Sequence, residues 1–131
     1  MIYPDSSIEV SVGAGVTTGA NDFEMLLSTP VTTGAQNTVF LIDAVCNAIC
    51  HGGVFPPNIR YQLKVDDVEI RTGRVSGFDN DQQPCTFMFS ERVEVPTLGE
   101  HVVEFLWCCE SPGDKATTTE FASLRVRGVV R

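Results

Sequence analysis

The stretch Glu100–Val126, EHVVEFLWCCESPGDKATTTEFASLRV, sets two adjacent cysteines in a strongly apolar run. On a β-strand, neighbouring side chains point to opposite faces. Val103, Phe105, Trp107 and Cys109 therefore share one face, and Val102, Glu104, Leu106 and Cys108 share the other. The first set is a core stripe, in which Cys109 serves as a small buried hydrophobe. Two thiols that diverge in this way are badly placed to ligate one metal ion. The second set is half apolar, more than one sandwich core needs, and surplus apolar surface marks contact with another subunit. Val102, Leu106 and Cys108 are the interface candidates.

Period two continues outward from this stretch in both directions. Ile8, Val10 and Val12 alternate in SIEVSV; DFEMLL is a short strand ended by Thr29-Pro30; and TVFLIDAVCNAIC places Phe40, Ile42, Ala44 and Cys46 on one side. The second half of that last segment also carries a helical spacing. IRYQLKV alternates cleanly, Asp66-Asp67 suits a tight turn, and VEIRTGRV reads as the hairpin partner. CTFMFSERVEV sets Cys85, Phe87, Phe89, Val93 and Val95 on one face. HVVEFLWCC and TEFASLRVRGVV read as a closing strand pair joined by ESPGDKATT. VSVGAGVTTGAND, HGGVFPPN and GFDNDQQP are loops, because clustered Gly, Pro and Asn break a ladder. Eight or nine short strands at near ten-residue spacing imply an all-β fold, an antiparallel β-sandwich or barrel of jelly-roll-like kind. The expected organisation is one domain over residues 1–131, with 1–21 as an N-terminal arm and linker or as an ordinary first strand and loop.

Composition narrows the function. A chain of 131 residues with 43% hydrophobic and 20% charged residues buries a core without staples. The net charge of −8 argues against nucleic acid, which demands clustered Lys and Arg. Arg125, Arg127 and Arg131 form one loose basic group, read as a solvated strand face. No apolar run reaches the length of a membrane span. MIYPDSSIEV has neither the basic nor the apolar region of a secretory signal. Synthesis in a reducing compartment and five free thiols are expected, the odd cysteine count fitting no secreted disulfide framework.

Sites of chemistry are few. Cys46, Cys50 and His51 are potential zinc ligands, but four strand residues span about 13 Å, beyond two bonds of about 2.3 Å to one ion. Only a helical turn there would bring them together. A cysteine nucleophile would need His51 or His101 as its base. Asp79, Asn80 and Asp81 offer oxygen donors of the kind calcium takes, without the later glycine and glutamate of a calcium loop. Glu94 and Glu104 read as outward strand residues. With no nucleophile elbow, P-loop or dinucleotide fingerprint, the chain is read as no enzyme, with no cofactor and no resident metal.

The second half resembles a loose family of bacteriophage virion proteins built on a jelly-roll-like sandwich, including capsid decoration (cement) proteins and tail-associated modules. YQLKVDDVEIRTG, PTLGEHVVEFLW and TEFASLRVRGVV carry the resemblance, over roughly residues 59 to 130. The turn departs from the frequent Asp-Gly, and the cysteine-rich strands are unusual for it. Tumour-necrosis-factor-like sandwiches share similar closing strands. The resemblance implies a structural virion protein, made in the host cytoplasm, that decorates a capsid as a dimer or trimer against the major capsid protein or another virion protein. A tail or fibre module is the alternative within that class, and a carbohydrate-binding sandwich the alternative outside it.

Overall fold

The computed structural model describes residues 7–51, 58–75, 84–111 and 113–130, and these contain nine strands and no helix. In chain order they are β1 (Ser7–Val12), β2 (Thr17–Thr18), β3 (Glu24–Thr33), β4 (Thr38–His51) and β5 (Ile59–Val65). β6 (Val68–Val75), β7 (Cys85–Val95), β8 (Gly99–Cys109) and β9 (Lys115–Val130) follow. One sheet has the order β1-β9-β4-β7, with β2 also paired to β9, and the other has the order β3-β8-β5-β6. All pairings are antiparallel. Without the two-residue β2 this is the strand order of a jelly roll: first strand beside last, second beside next to last, and the third and fourth inside them.

The alternation in sequence is the alternation in burial. Along β4, Phe40, Ile42, Ala44, Cys46, Ala48 and Cys50 are wholly buried, while Leu41, Asp43, Val45, Asn47 and Ile49 are only half-buried. Facing them from the other sheet are Val103, Phe105, Trp107 and Cys109 of β8. Tyr61 of β5 stacks on Phe89 of β7, with centroids 4.8 Å apart, and both Phe89 and Phe87 meet Phe105 edge-on. Such ring pairs contribute about 0.5–1.5 kcal/mol each beyond the area they bury.

Two sequence readings are corrected, and the reading of TVFLIDAVCNAIC as one long strand holds. β8 and β9 are not a closing pair: they lie in different sheets, and β9 pairs with β1, β2 and β4. Each carries a strongly apolar inward face, and the two faces meet across the core rather than side by side. β3 does not stop at Thr29-Pro30 but runs to Thr33, with Pro30 opposite Val102. β3 is an edge strand, where a residue without an N–H is tolerated. β4 stays extended to His51, which removes the helical turn that a Cys46, Cys50 and His51 metal site requires. In addition, a bulge between Met25 and Leu27 lets Leu26 and Leu27 both turn inward, which strict alternation forbids. The 52–57 and 76–83 loops, including Asp79, Asn80 and Asp81, lie outside the described residues.

Gly73 of β6 sits opposite Tyr61, and a Cβ placed there would lie 2.4 Å from the ring carbon Cζ. The ring cannot retreat, because Phe89 holds its other face. Gly73→Ala is therefore expected to lower stability by about 1–3 kcal/mol in urea unfolding. A midpoint equal to wild type would show that the aromatic stack is not rigid.

Candidate functional site

Two ends and two outer faces of the sandwich carry the groups that interact with anything else. At the first end, β5 and β6 are joined at Asp66 and Asp67, whose φ angles of 52° and 63° are both left-handed, as a two-residue hairpin of matching twist requires. Asp66 then works three times. Its N–H donates to the Val102 carbonyl (2.9 Å), its Oδ1 accepts from the Val102 N–H (2.9 Å), and its Oδ2 meets His101 Nδ1 at 2.6 Å. His101 is buried, lies edge-on to Phe40, and turns Nε2 to the Thr97 carbonyl at 3.0 Å. Both ring nitrogens are within hydrogen-bond reach of oxygen atoms. Partial burial disfavours the Asp66 carboxylate, but the hydrogen bonds from His101 and Val102 outweigh it and hold its pKa below the ordinary value.

This latch fixes an apolar cap. Val68 and Leu98, on the two adjoining turns, are 61% and 59% exposed. Val68 also lines a cavity of about 230 Å³, with Ile70, Val93, Pro96, Thr97 and His101 among others. His101 is thus a structural pin. It lies about 26 Å along β8 from Cys109, too far to act as that thiol's base.

The outer face of the β3-β8-β5-β6 sheet holds the interface candidates. Val102 is half-buried beside the exposed Pro30. Leu106 is 8% exposed, between Gln62 and the exposed Met25. Cys108 is wholly buried beside Arg60, whose guanidinium sits 5.2 Å over the Phe23 ring. Burial pushes the Cys108 thiol pKa up, although Arg60 works against it.

The outer face of the other sheet is a trough. Two cavities of about 360 and 370 Å³ share Asp43, Ser90 and Arg125. Asp43 accepts from Ser90 Oγ (2.6 Å) and pairs with Arg125 (3.1 Å), and the Ser90 bond is the main cause of its lowered pKa. Arg92 pairs with Glu94 and Arg71 reaches in to Glu91. Arg127 and Glu9 also line the cavities, together with Leu41, Val45 and Met88. Four cations meet four anions among apolar side chains that include the exposed Met88, so the face is mixed in character and nearly neutral. The Arg125 and Arg127 spacing was legible in the sequence. The arrival of Arg92 and Asp43 beside them was not, since it depends on the order β9-β4-β7.

The far end collects thiols. All five cysteines are unbridged. Cys46 and Cys50 face inward from β4, and Cys85, half-buried, lies opposite Ala48 on β7. Burial pushes the Cys46 pKa up to about 12, and Cys85 adds to this. Asp114 is buried there too, with neither carboxylate oxygen hydrogen-bonded among the described residues. Among those residues no three ligating side chains stand close enough together to hold a metal ion.

No protein-family model matches the chain, and no curated protein matches it either. Solved structures do. Dimeric latent PorU from Porphyromonas gingivalis is similar over 95% of this chain and 13% of its own, with a TM-score of 0.59 at 10% identity. The CBM36-1 domain of a multidomain xylanase from the hindgut metagenome of Trinervitermes trinervoides is similar over 92% of this chain and 96% of its own, with a TM-score of 0.50 at 11% identity. The infectious bursal disease virus VP2 subviral particle gives 95% and 33%, with a TM-score of 0.51 at 10% identity. At such identities the likeness is one of fold alone, a jelly-roll β-sandwich.

The Asp66 latch has a pH signature. Asp66→Asn keeps a residue that tolerates the left-handed turn and keeps an acceptor for the Val102 N–H, while replacing the carboxylate oxygen that faces His101 with an amide NH2. A carboxyl with a lowered folded pKa stabilises above its unfolded value, and that stability is lost as pH falls through the folded one. The melting temperature of the variant should therefore fall less steeply than wild type below about pH 4. At neutral pH the difference should stay under about 1 kcal/mol, because Asp66 is partly solvated. Parallel melting profiles from acid to neutral pH would remove the ion pair from the latch.

Proposed function

We propose that this chain is a non-enzymatic structural component of a virion, a decoration or cement module that stabilises a shell through surface contacts. The carrying observation is the apolar cap: Val68 and Leu98 stand exposed on two turns locked together by Asp66 and His101. A rigid apolar projection loses little conformational freedom on docking, and burying two such side chains contributes about 1.5–3 kcal/mol each. Val102, next to Asp66, extends the contact onto the outer face of β8, towards Leu106 and Met25. The occupant is a coat subunit of the shell, and the working unit is a dimer or trimer of this chain. The fold likeness to the VP2 particle supports a shell role without assigning one.

A second reading is carried by the trough, where Asp43, Ser90 and Arg125 present donors and acceptors in a depression of sugar size. It makes the chain a carbohydrate-binding sandwich, the class to which the xylanase domain belongs by name. Against it, Asp43, Ser90 and Arg125 already satisfy one another.

Light scattering of the protein with and without purified shells tests the first reading. A defined oligomer should add stoichiometrically to shells and raise their disruption temperature. The double variant Val68→Glu and Leu98→Glu should fold normally and bind shells at least about tenfold more weakly. A monomer indifferent to every shell, yet retained by a glycan surface, would transfer the assignment to the second reading.

A further inference from the structure

Cys109 ends β8 in one sheet, and Cys50 is the penultimate residue of β4 in the other. Both side chains are wholly buried. Thr18, Ala116 and Cys50 lie in one row across β2, β9 and β4, by the registers Thr18↔Ala116 and Cys50↔Ala116. Cys109 descends onto this row. Its thiol reaches the Thr18 carbonyl at 3.6 Å and its N–H donates to the Ala20 carbonyl at 2.8 Å, so the sheets converge here. The middle of the row is only a methyl group, so nothing bulky separates the inward-facing Cys50 from Cys109, and interaction with Cys50 lowers the Cys109 thiol pKa.

No other pair of the five is so placed. Cys108 and Cys109 are consecutive and point to opposite faces. Cys46 and Cys50 stand about 13 Å apart along one strand. Cys85, opposite Ala48, is diagonal to both Cys46 and Cys50. Diagonal neighbours are about 7–8 Å apart, beyond the roughly 4.4–6.8 Å between Cα atoms that a disulfide spans.

We propose that Cys50 and Cys109 form a single intersheet disulfide when the folded chain meets a small-molecule disulfide such as oxidised glutathione, while Cys46, Cys85 and Cys108 remain thiols. The Cys109 thiolate attacks one sulfur of the oxidant and releases one glutathione thiolate. Cys50, deprotonated, then displaces the second. Two cysteine thiols are oxidised to one disulfide, one glutathione disulfide is reduced to two thiols, and the two protons end on glutathione. Interaction with Cys50 is the largest influence on the Cys109 thiol and lowers its pKa against burial and the nearby Asp114 charge, which marks it as the first attacker. Both cysteines lie at strand ends, where local opening admits the oxidant most readily. The bond would pin the two sheets together and close the long loop from β4 to β8.

The test uses the full chain, purified reduced and then incubated with oxidised glutathione at neutral pH. Intact mass should fall by two hydrogens, and non-reducing peptide mapping should join the Cys50 and Cys109 peptides. Three thiols should remain after denaturation, and the melting temperature should rise by about 10 °C, reversibly with reductant. Cys85→Ser should oxidise like wild type, and Cys50→Ser should not form the link. Because Cys50→Ser buries a hydroxyl, its fold is checked by circular dichroism, and the mapping of wild type stands without it. Five thiols persisting, a glutathione adduct without the internal link, or a different pair would each overturn the proposal.

Discussion

The structure depends on one size relationship, that between the middle strands of the two sheets. β4 and β9 turn small side chains inward at Ala44, Cys46, Ala48, Ala116 and Ala122, and the opposite sheet sends in Phe105, Trp107 and Tyr61. Interiors pack to crystal-like density, so bulk on one side requires its absence on the other. Given that fit, β4 has to lie opposite β8, and the remaining strands nest around them: β1 on β9, β3 on β8, β7 on β4. Apart from the hairpin β5–β6, each pairing joins distant segments. Such a chain closes its core only when nearly all of it has been brought together, and folding is correspondingly slow.

This arrangement accounts for what the sequence revealed and what it hid. Which residues point inward is a local property: Phe105, Trp107 and Cys109, or Ile42, Ala44 and Cys46, could be read from alternation alone. The Asp66-Asp67 hairpin was equally local. Which strand lies beside which is not local, so β8 and β9, adjacent in the chain and alike in pattern, looked like a pair although each belongs to its own sheet. Pro30 misled because its missing N–H counts against a strand only when the strand is interior. Edge position is a property of the assembled sheet. The candidate surfaces divide along the same line. Val102, Leu106 and Cys108 were legible as an outer stripe. The apolar cap, the neutral trough and the Cys50–Cys109 contact each need residues from strands far apart in sequence.

The two ends of β8 are finished differently. At Gly99 to Val103 the chain is fastened by polar contacts: the Thr33 hydroxyl donates to the carbonyls of Thr97 and Gly99 and accepts from the Gly99 N–H, and His101 bridges Asp66 and Thr97. At Trp107 to Cys109 the strand has fewer such ties: Asn21 Nδ2 donates to the Cys109 carbonyl at 3.3 Å and the Cys109 thiol reaches the Thr18 carbonyl. A buried hydrogen-bonded network specifies one geometry because a displaced partner leaves an unpaired polar group, which costs about 1–3 kcal/mol. Two thiols impose no comparable penalty, so contact between them alone leaves the sheets freer to part at that end.

That asymmetry bears on how such a module could serve as a surface component. A docking patch works best where the frame is stiff, and the exposed Val68 and Leu98 sit at the fastened end. The looser end has Asp114 buried without a hydrogen-bond partner among the described residues, a local cost tolerated where the chain turns from one sheet to the other. The net charge of −8 adds self-repulsion, which a neutral trough on one face and an apolar cap at one end do not relieve. Contacts that cover those two surfaces bury little unbalanced charge. The charge distribution is therefore compatible with association through the cap or the trough.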